Sequence, residues 1–508
     1  MRPVPDEIWH QIFSHHQCVL VEDKWWMYGA QVDRSPMETL TSIALVSKQF
    51  YRVALPLIYQ TLLLEGGDSE TTRHEHLTRT LAAGPNLGLH TRTITLDDAD
   101  LPPTFAFGLM IQKLLKSLEL PTTLRKHIET RLEEYARYNY YSSRYVGVAV
   151  FILALTPRVR LVDCSYHGIS PSLIWMMSGR SDMTEQLMQD PEKGDSDTEE
   201  DRIDEETRKD DAVNLSAHEM AGASFANYGL PDLEELRLRT GDCTDNSTYI
   251  HSIEAALLHP NLKVLRLLGI NWLQKSLRLL KWPDEPCSVQ LLELKENLIE
   301  ASSLRHILSR FTSLRTLLIH LADCRRYMYD TDEIEWEVYL NEFGSILREL
   351  GQDLVEFSLH TTSFESDGIC EGHLGSLREM RSLRHLKVIY TDLVNTRVEP
   401  SEQVSKLVDV LPPSLETLHL HWDERHCGQE YYKRRCGFVN QGVTELLEHG
   451  HMPNLRQVSI ERYYNETMEG EFDGPIGGWD MTVENVHLWA TYSSSGCMRT
   501  IVTFTRSY

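Results

Sequence analysis

Eight times between residues 233 and 460 the chain repeats a six-residue phrase with apolar residues at its first, fourth and sixth positions. The copies begin at Leu233, Leu262, Val289, Leu314, Leu354, Leu383, Leu415 and Leu455, at intervals of 25 to 40 residues. The fourth and sixth residues alternate with mostly polar ones, as in a half-buried strand. Pro231-Asp, Pro260-Asn, Pro413-Ser and Pro453-Asn precede several copies, and proline there closes a helix and admits an extended segment. Helical spacing over Ser303 to Phe311, Gln403 to Val410 and Val443 to His449 fills the intervals. A unit this small can bury its apolar face only against its neighbours, so the phrase requires a stacked array.

The pattern resembles the leucine-rich repeat, which implies an α/β fold, an irregular solenoid (horseshoe) with parallel strands on its concave side. Repeats are expected over residues 215–460. Residues 64–180 read as a helical segment, with helices near Thr72–Leu81, Leu109–Leu118, Thr122–Tyr140 and Ser143–Leu155. Short strands at Thr91–Leu96 and Val159–Cys164 there are candidate degenerate early repeats. Residues 461–508 are expected to cap the array with two strands, Val483–Ala490 and Met498–Phe504. The intervals holding Cys324 to Asp330 and Arg425 to Arg435 are polar enough to be solvent loops, and the charged stretch 181–214 is expected to be a disordered loop. Ser196 and Thr198 within it suit an acid-directed kinase, with a solvated spacer as the default.

Residues 1–63 read differently. Val4-Pro5-Asp6-Glu7 opens an amphipathic helix through Phe13, and from Phe50 the residues Val53, Ala54, Leu57 and Ile58 continue a helical stripe. Pro56 is expected to end one helix near Leu55 and begin another turn. Three short helices in about sixty residues make too small a core and gain most by packing on a partner. Pro5-Asp-Glu-Ile-Trp-His-Gln-Ile-Phe13 and Ala44-Leu-Val-Ser-Lys-Gln-Phe-Tyr51 resemble the two halves of an F-box, in the form common in fungal F-box proteins. That resemblance implies docking on a Skp-type adaptor, and through it a cullin, in an SCF-type ubiquitin ligase. It places Pro5, Ile8, Ile12, Leu45, Val46 and Phe50 at positions that build the trihelix and its adaptor face. Val4 stands where the family has leucine, and residues 17–36 intrude between the halves, carrying Trp25-Trp26-Met27-Tyr28 as a packing or partner-contact cluster.

A net charge of −25 repels polyanions, so neither nucleic acid nor an anionic membrane is an expected partner. Nine cysteines without a C-x-x-C imply reduced thiols and no zinc ribbon, and no cofactor is expected. The chain opens without an apolar signal stretch, and its longest apolar run, Val146 to Leu155, is half of what a bilayer needs. A cytoplasmic or nuclear protein is the expectation.

Strand alternation turns the residues beside the inward leucines onto the concave face. Among those 24 positions stand Arg237, Arg239, Arg266, Lys295 and Lys387, and His320, His360, His385, His419 and His421, against four acids. This locally basic row is the candidate substrate site, suited to an acidic or phosphorylated protein segment, with affinity rising as pH falls toward and below about 6.5. The bland alternative is an ordinary polar solvent face. His419 and His421 with His426, Cys427 and Cys436 could supply metal ligands, though without a compact zinc spacing. Phosphate-loop, nucleophile-elbow and metalloprotease motifs do not occur, and no catalysis is expected. The sequence therefore reads as the substrate-recognition subunit of a ligase, or alternatively as a repeat scaffold that binds proteins outside any ligase.

Overall fold

The computed structural model describes residues 4–17, 20, 25, 35–64, 71–96, 111, 113–118, 120–138, 148–166, 171–178, 229–240, 248–322, 336–361, 370–394, 406–423, 429–449, 452–464, 472, 474–488 and 497–506. The expected acidic loop at 181–214, including Ser196 and Thr198, lies outside them. The chain forms two compact units, the first from Met1 to Cys243 with Ser247–Leu268 and Leu279–Ser288. The second holds Gly269–Arg278 and Val289–Tyr508, with Thr244–Asn246.

The first unit begins with α1 (Asp6–Ser14), α2 (Ser35–Ala44) and α3 (Lys48–Ile58). Phe13, Leu40, Ala44, Val53, Ala54 and Leu57 form their buried core, with Trp9, Ile43, Phe50 and Ile58 packed against it. Ser47 starts α3 by accepting a hydrogen bond from the backbone N–H of Phe50 at 3.1 Å. Contrary to expectation, Pro56 does not divide this helix. It sits in the last turn, where its missing N–H forfeits a single bond, and Leu57 and Ile58, which follow it, are held by the core.

Five parallel strands follow in the same unit: β1 (Thr61–Leu64), β2 (Thr93–Leu96), β3 (Leu161–Tyr166), β4 (Glu235–Thr240) and β5 (Val264–Leu268), each paired with the next. The early strands near Ile94 and Val162 thus stack in register with the first clear repeat. β1 was not foreseen. The apolar helix Val148–Leu155 is buried from Val148 to Ala154, and no described helix is long and apolar enough to cross a membrane.

In the second unit the parallel run is β6 (Leu291–Asn297), β7 (Thr316–Leu321), β9 (Glu356–His360), β11 (His385–Ile389), β12 (Thr417–Asp423) and β13 (Gln457–Tyr464). Two short strands, β8 (Val338–Tyr339) and β10 (Cys370–Glu371), pair separately. The run ends in an antiparallel hairpin of β14 (Trp479–Leu488) and β15 (Cys497–Arg506), with β15 lying against β13. All eight copies of the phrase are strands, and their fourth and sixth residues are buried, each such leucine contributing about 1.5–3 kcal/mol.

Before four of the phrases the preceding residue bonds back to the previous repeat. Asn261 donates to the Pro231 carbonyl at 2.7 Å and Ser288 to Leu262 at 2.9 Å. In the second unit Ser414 donates to Leu383 at 2.8 Å and Asn454 to Pro413 at 3.1 Å. Each of these polar side chains satisfies a carbonyl of the preceding repeat where the chain leaves its turn. Asn297 adds an internal bond set that the sequence reading missed, although it stands at the ninth position of the L-x-x-L-x-L-x-x-N form of the repeat. Its carbonyl accepts from the Ile270 N–H at 3.1 Å and the Trp272 indole at 3.3 Å. A bulge at Glu296, whose φ is 51°, turns Asn297 inward.

The polar interval after residue 424 is also shorter than expected, because Gln429–His449 is one helix of 21 residues. Gln429, Glu430, Lys433, Arg434 and Arg435 are good helix formers, and helix propensity outweighed the polarity that suggested a loop. Cys324 to Asp330 lies outside the described residues.

Candidate functional site

Two groups of residues remain distinctive once the core is assigned. The first lies on α1 and the turn between α2 and α3. Trp9, Phe13 and Phe50 stack with ring centroids 4.6 to 5.7 Å apart. Phe50 therefore builds the inside of the trihelix. Ile8 and Ile12, four residues apart on one helical face, remain 46% and 45% exposed, and Leu45 and Val46 are 84% and 69% exposed. Pro5 is exposed at the start of α1. Asp6 ties the helices together, accepting from Gln49 at 2.9 Å and from the Arg52 Nε at 2.9 Å. These bonds, from Gln49 first and Arg52 second, hold its carboxyl below the usual range. Of the intervening aromatic cluster, Trp25 is described and buried, at 1% exposure.

The second group is the outward row of the strands, and the structure corrects its reading in the first unit. Arg237 and Arg239 do not face solvent. They are 1% and 2% exposed, and both reach Asp163, at 3.9 and 2.7 Å. Asp163 sits in register with Arg237 on the neighbouring strand β3, upstream of the positions that were tallied. Glu235 completes the cluster, accepting from Arg237 at 2.6 Å and from Arg266 at 3.2 Å. Three of the five expected basic anchors are thus neutralised by acids at home.

The second unit keeps the remaining residues near one another. Lys295, His320 and His360 follow one another across β6, β7 and β9. The rings of His320 and His360 are 4.2 Å apart, and those of His360 and His421 are 3.9 Å apart. Lys387 and His419 are register partners on β11 and β12, and both reach Glu461, at 3.5 and 2.7 Å. Arg499 of β15 reaches the other oxygen of the same carboxylate at 2.7 Å. His385 bonds Thr417 at 2.9 Å. Lys295, His320, His360, His385, Lys387 and His419 are half-buried, whereas His421 is buried at 2% exposure.

Burial, with Lys387 adding repulsion against the attraction of Glu293 and Glu296, brings the Lys295 ammonium down to about 8. Burial and then the neighbouring His360 hold His320 and His421 well below 6.5. The expected rise in charge just below pH 6.5 is therefore corrected for these two imidazoles, which stay neutral there. Of the suggested metal ligands, His419 is engaged by Glu461 and His421 lies against His360. His426 and Cys427 lie outside the described residues, as does the side chain of Cys436. Among the described residues no group of three or more His, Cys, Asp or Glu is arranged to hold a metal.

No curated protein matches the chain. Residues 341–468, from the helix Leu340–Leu350 to just past β13, match the family described as leucine-rich repeat domain. The chain carries a leucine-rich repeat domain there, a kind of repeat that binds protein partners.

Proposed function

We propose that this chain is the substrate-recognition subunit of an SCF-type cullin ubiquitin ligase, working in the cytoplasm or nucleus and catalysing nothing itself. In this reading α1–α3 are an F-box that docks on a Skp-type adaptor. Ile8, Ile12, Leu45 and Val46 make the contact, Pro5 sets the start of α1, and Phe50 supports the contact from inside. The observation that carries the reading is the sorting of these helices, with Trp9, Phe13 and Phe50 turned inside and four aliphatic residues left at 45% exposure or more. Removing such aliphatics from water on a partner is the gain a three-helix unit lacks by itself, about 1.5–3 kcal/mol for each side chain fully buried from full exposure and less for those already half covered. The outward row of the second unit then holds the substrate, with Lys295 and Lys387 meeting an acidic or phosphorylated segment and His320, His360, His385 and His419 lining it. His421, buried against His360, supports this surface from within the second unit, and Arg237, Arg239 and Arg266 of the first unit take no part in it.

The test is co-elution with a purified Skp-type adaptor on size exclusion, beside a variant carrying Leu45→Asp and Val46→Asp. Both positions are exposed, so the variant keeps its fold, checked by circular dichroism. A stoichiometric complex that the variant loses is the expected result. An intact chain that never co-elutes sinks the ligase reading and leaves a repeat scaffold that binds proteins outside a ligase.

A further inference from the structure

β14 is the final strand of the second unit's sheet. It pairs with β15 over ten residues, Trp479 to Leu488, without a shift in register, and among the described residues no strand lies on its other side. An antiparallel strand bonded on one side turns about half of its N–H and C=O groups away from its partner. Among the described residues, Met481 to Asn485 make no backbone bond outside the pairing with β15. Sheets protect such edges by shortness, charged side chains (lysine above all), proline or a bulge. β1, the first strand of the first unit, has only four residues. β14 runs for ten residues without lysine, proline or a bulge, and the charge it carries is acidic.

What β14 does carry is acid on one face and uncovered apolar surface on the other. Asp480, Thr482 and Glu484 are exposed and lie across from Thr505, Thr503 and Ile501. On the opposite face Met481 and Val483 lie across from Phe504 and Val502. Phe504 and Val502 are buried at 0% and 1%, yet Val483 is 42% exposed. The apolar face of the sheet extends one strand beyond its cover.

We infer that β14 receives an extended segment of a protein partner as an additional strand, one that alternates basic with apolar residues. Its backbone completes the ladder, its apolar residues cover Met481 and Val483, and its lysines or arginines stand opposite Asp480 and Glu484. A second copy is a poor occupant. Each copy carries a net charge of −25, and pairing two β14 strands would place four carboxylates on one face. The inference is independent of the adaptor reading.

Fluorescence anisotropy with the full chain tests it, using labelled ten-residue peptides of alternating lysine and valine or glutamate and valine. Two further lysine–valine peptides are N-methylated at the valines or at the lysines, since one set of N–H groups must enter the ladder. The lysine–valine peptide is expected to bind at least tenfold tighter than its glutamate counterpart, and one N-methylated form to lose that tenfold. Asp480→Lys with Glu484→Lys is expected to abolish the preference. Asp353→Lys with Glu379→Lys, the same charge change at exposed positions elsewhere in the unit, should preserve it. Equal loss in both double variants, or full binding by both N-methylated peptides, overturns the inference in favour of diffuse charge attraction. A chain that sediments as a dimer dissociated by the β14 variant overturns it in favour of a second copy.

Discussion

The outward rows of the two units follow one sequence pattern and reach opposite ends. In the first unit Arg237 and Arg239 are buried against Asp163, which makes them part of the packing. In the second, Lys387 and His419 share Glu461 with Arg499 while staying 43%, 25% and 32% exposed at their side chains. A basic residue at an outward strand position is therefore structural or available according to what the adjacent strand supplies and whether water still reaches it. Charge counts along a repeat overlook this, because Asp163, the acid 2.7 Å from Arg239, stands on a strand far upstream in sequence.

The contrast can be broken most severely at Asp163. Asp163→Ala removes the carboxylate 2.7 Å from the buried Arg239 guanidinium, while Arg237 keeps Glu235, and is expected to cost about 3–5 kcal/mol, read as a lower urea midpoint. Replacing Asp163, Arg237 and Arg239 together by leucine or methionine should recover most of that loss. If the single change costs nothing, the first row is not structural. Glu461→Gln is expected to cost less, about 1–3 kcal/mol, because its partners can turn to water. A cost as large as that of Asp163→Ala would erase the distinction.

Titration sharpens the second unit further. His320 and His421 are held well below 6.5, so the stability they contribute is present above about 6.5 and lost as pH falls through their folded values. The difference in melting temperature between His421→Phe and the parent should shift toward the variant on acidification below pH 6.5. Asp392 has the opposite sign. Burial lifts its carboxyl to about 7, against a lowering bond from Thr361 at 2.6 Å. Its contribution is full below the unfolded carboxylate value near 4 and is lost as pH rises through about 7. Asp392→Asn should therefore gain on the parent between pH 4 and 7, and a pH-independent difference would exclude this assignment. The smallest effect belongs to Lys263→Ala, whose 3.0 Å pair with Glu234 is about half exposed on both sides, with an expected cost of about 0.5 kcal/mol or less.

The eight later strands and the closing hairpin were legible because leucine spacing and alternation are local properties. Strand β1 was not, since Thr61-Leu-Leu-Leu64 is too short to display a period and is fixed by pairing with β2. The continuation of α3 through Pro56 was hidden for a similar reason, because the core contacts of Leu57 and Ile58 outweigh a local penalty. At the site, sequence placed the outward positions but not their exposure. Burial of Arg237 depends on register with β3, and the contact between His360 and His421 joins residues on strands separated by β11. The apolar residues of α1 were legible as a set, whereas their division into core Trp9 and Phe13 and exposed Ile8 and Ile12 needed the packing of α3.

The change of direction between β13 and β15 has a consequence for how such a chain can grow. Up to Gln457 every strand in the second unit's run points the same way, and each repeat meets only its immediate neighbours. A duplicated segment entering that run would meet a parallel strand on each side, as the original does. Beyond β13 the strand polarity inverts, and a copy placed there would meet a ladder running against it. The length of the array is thus free to drift through its interior, while its end is inherited as a fixed piece.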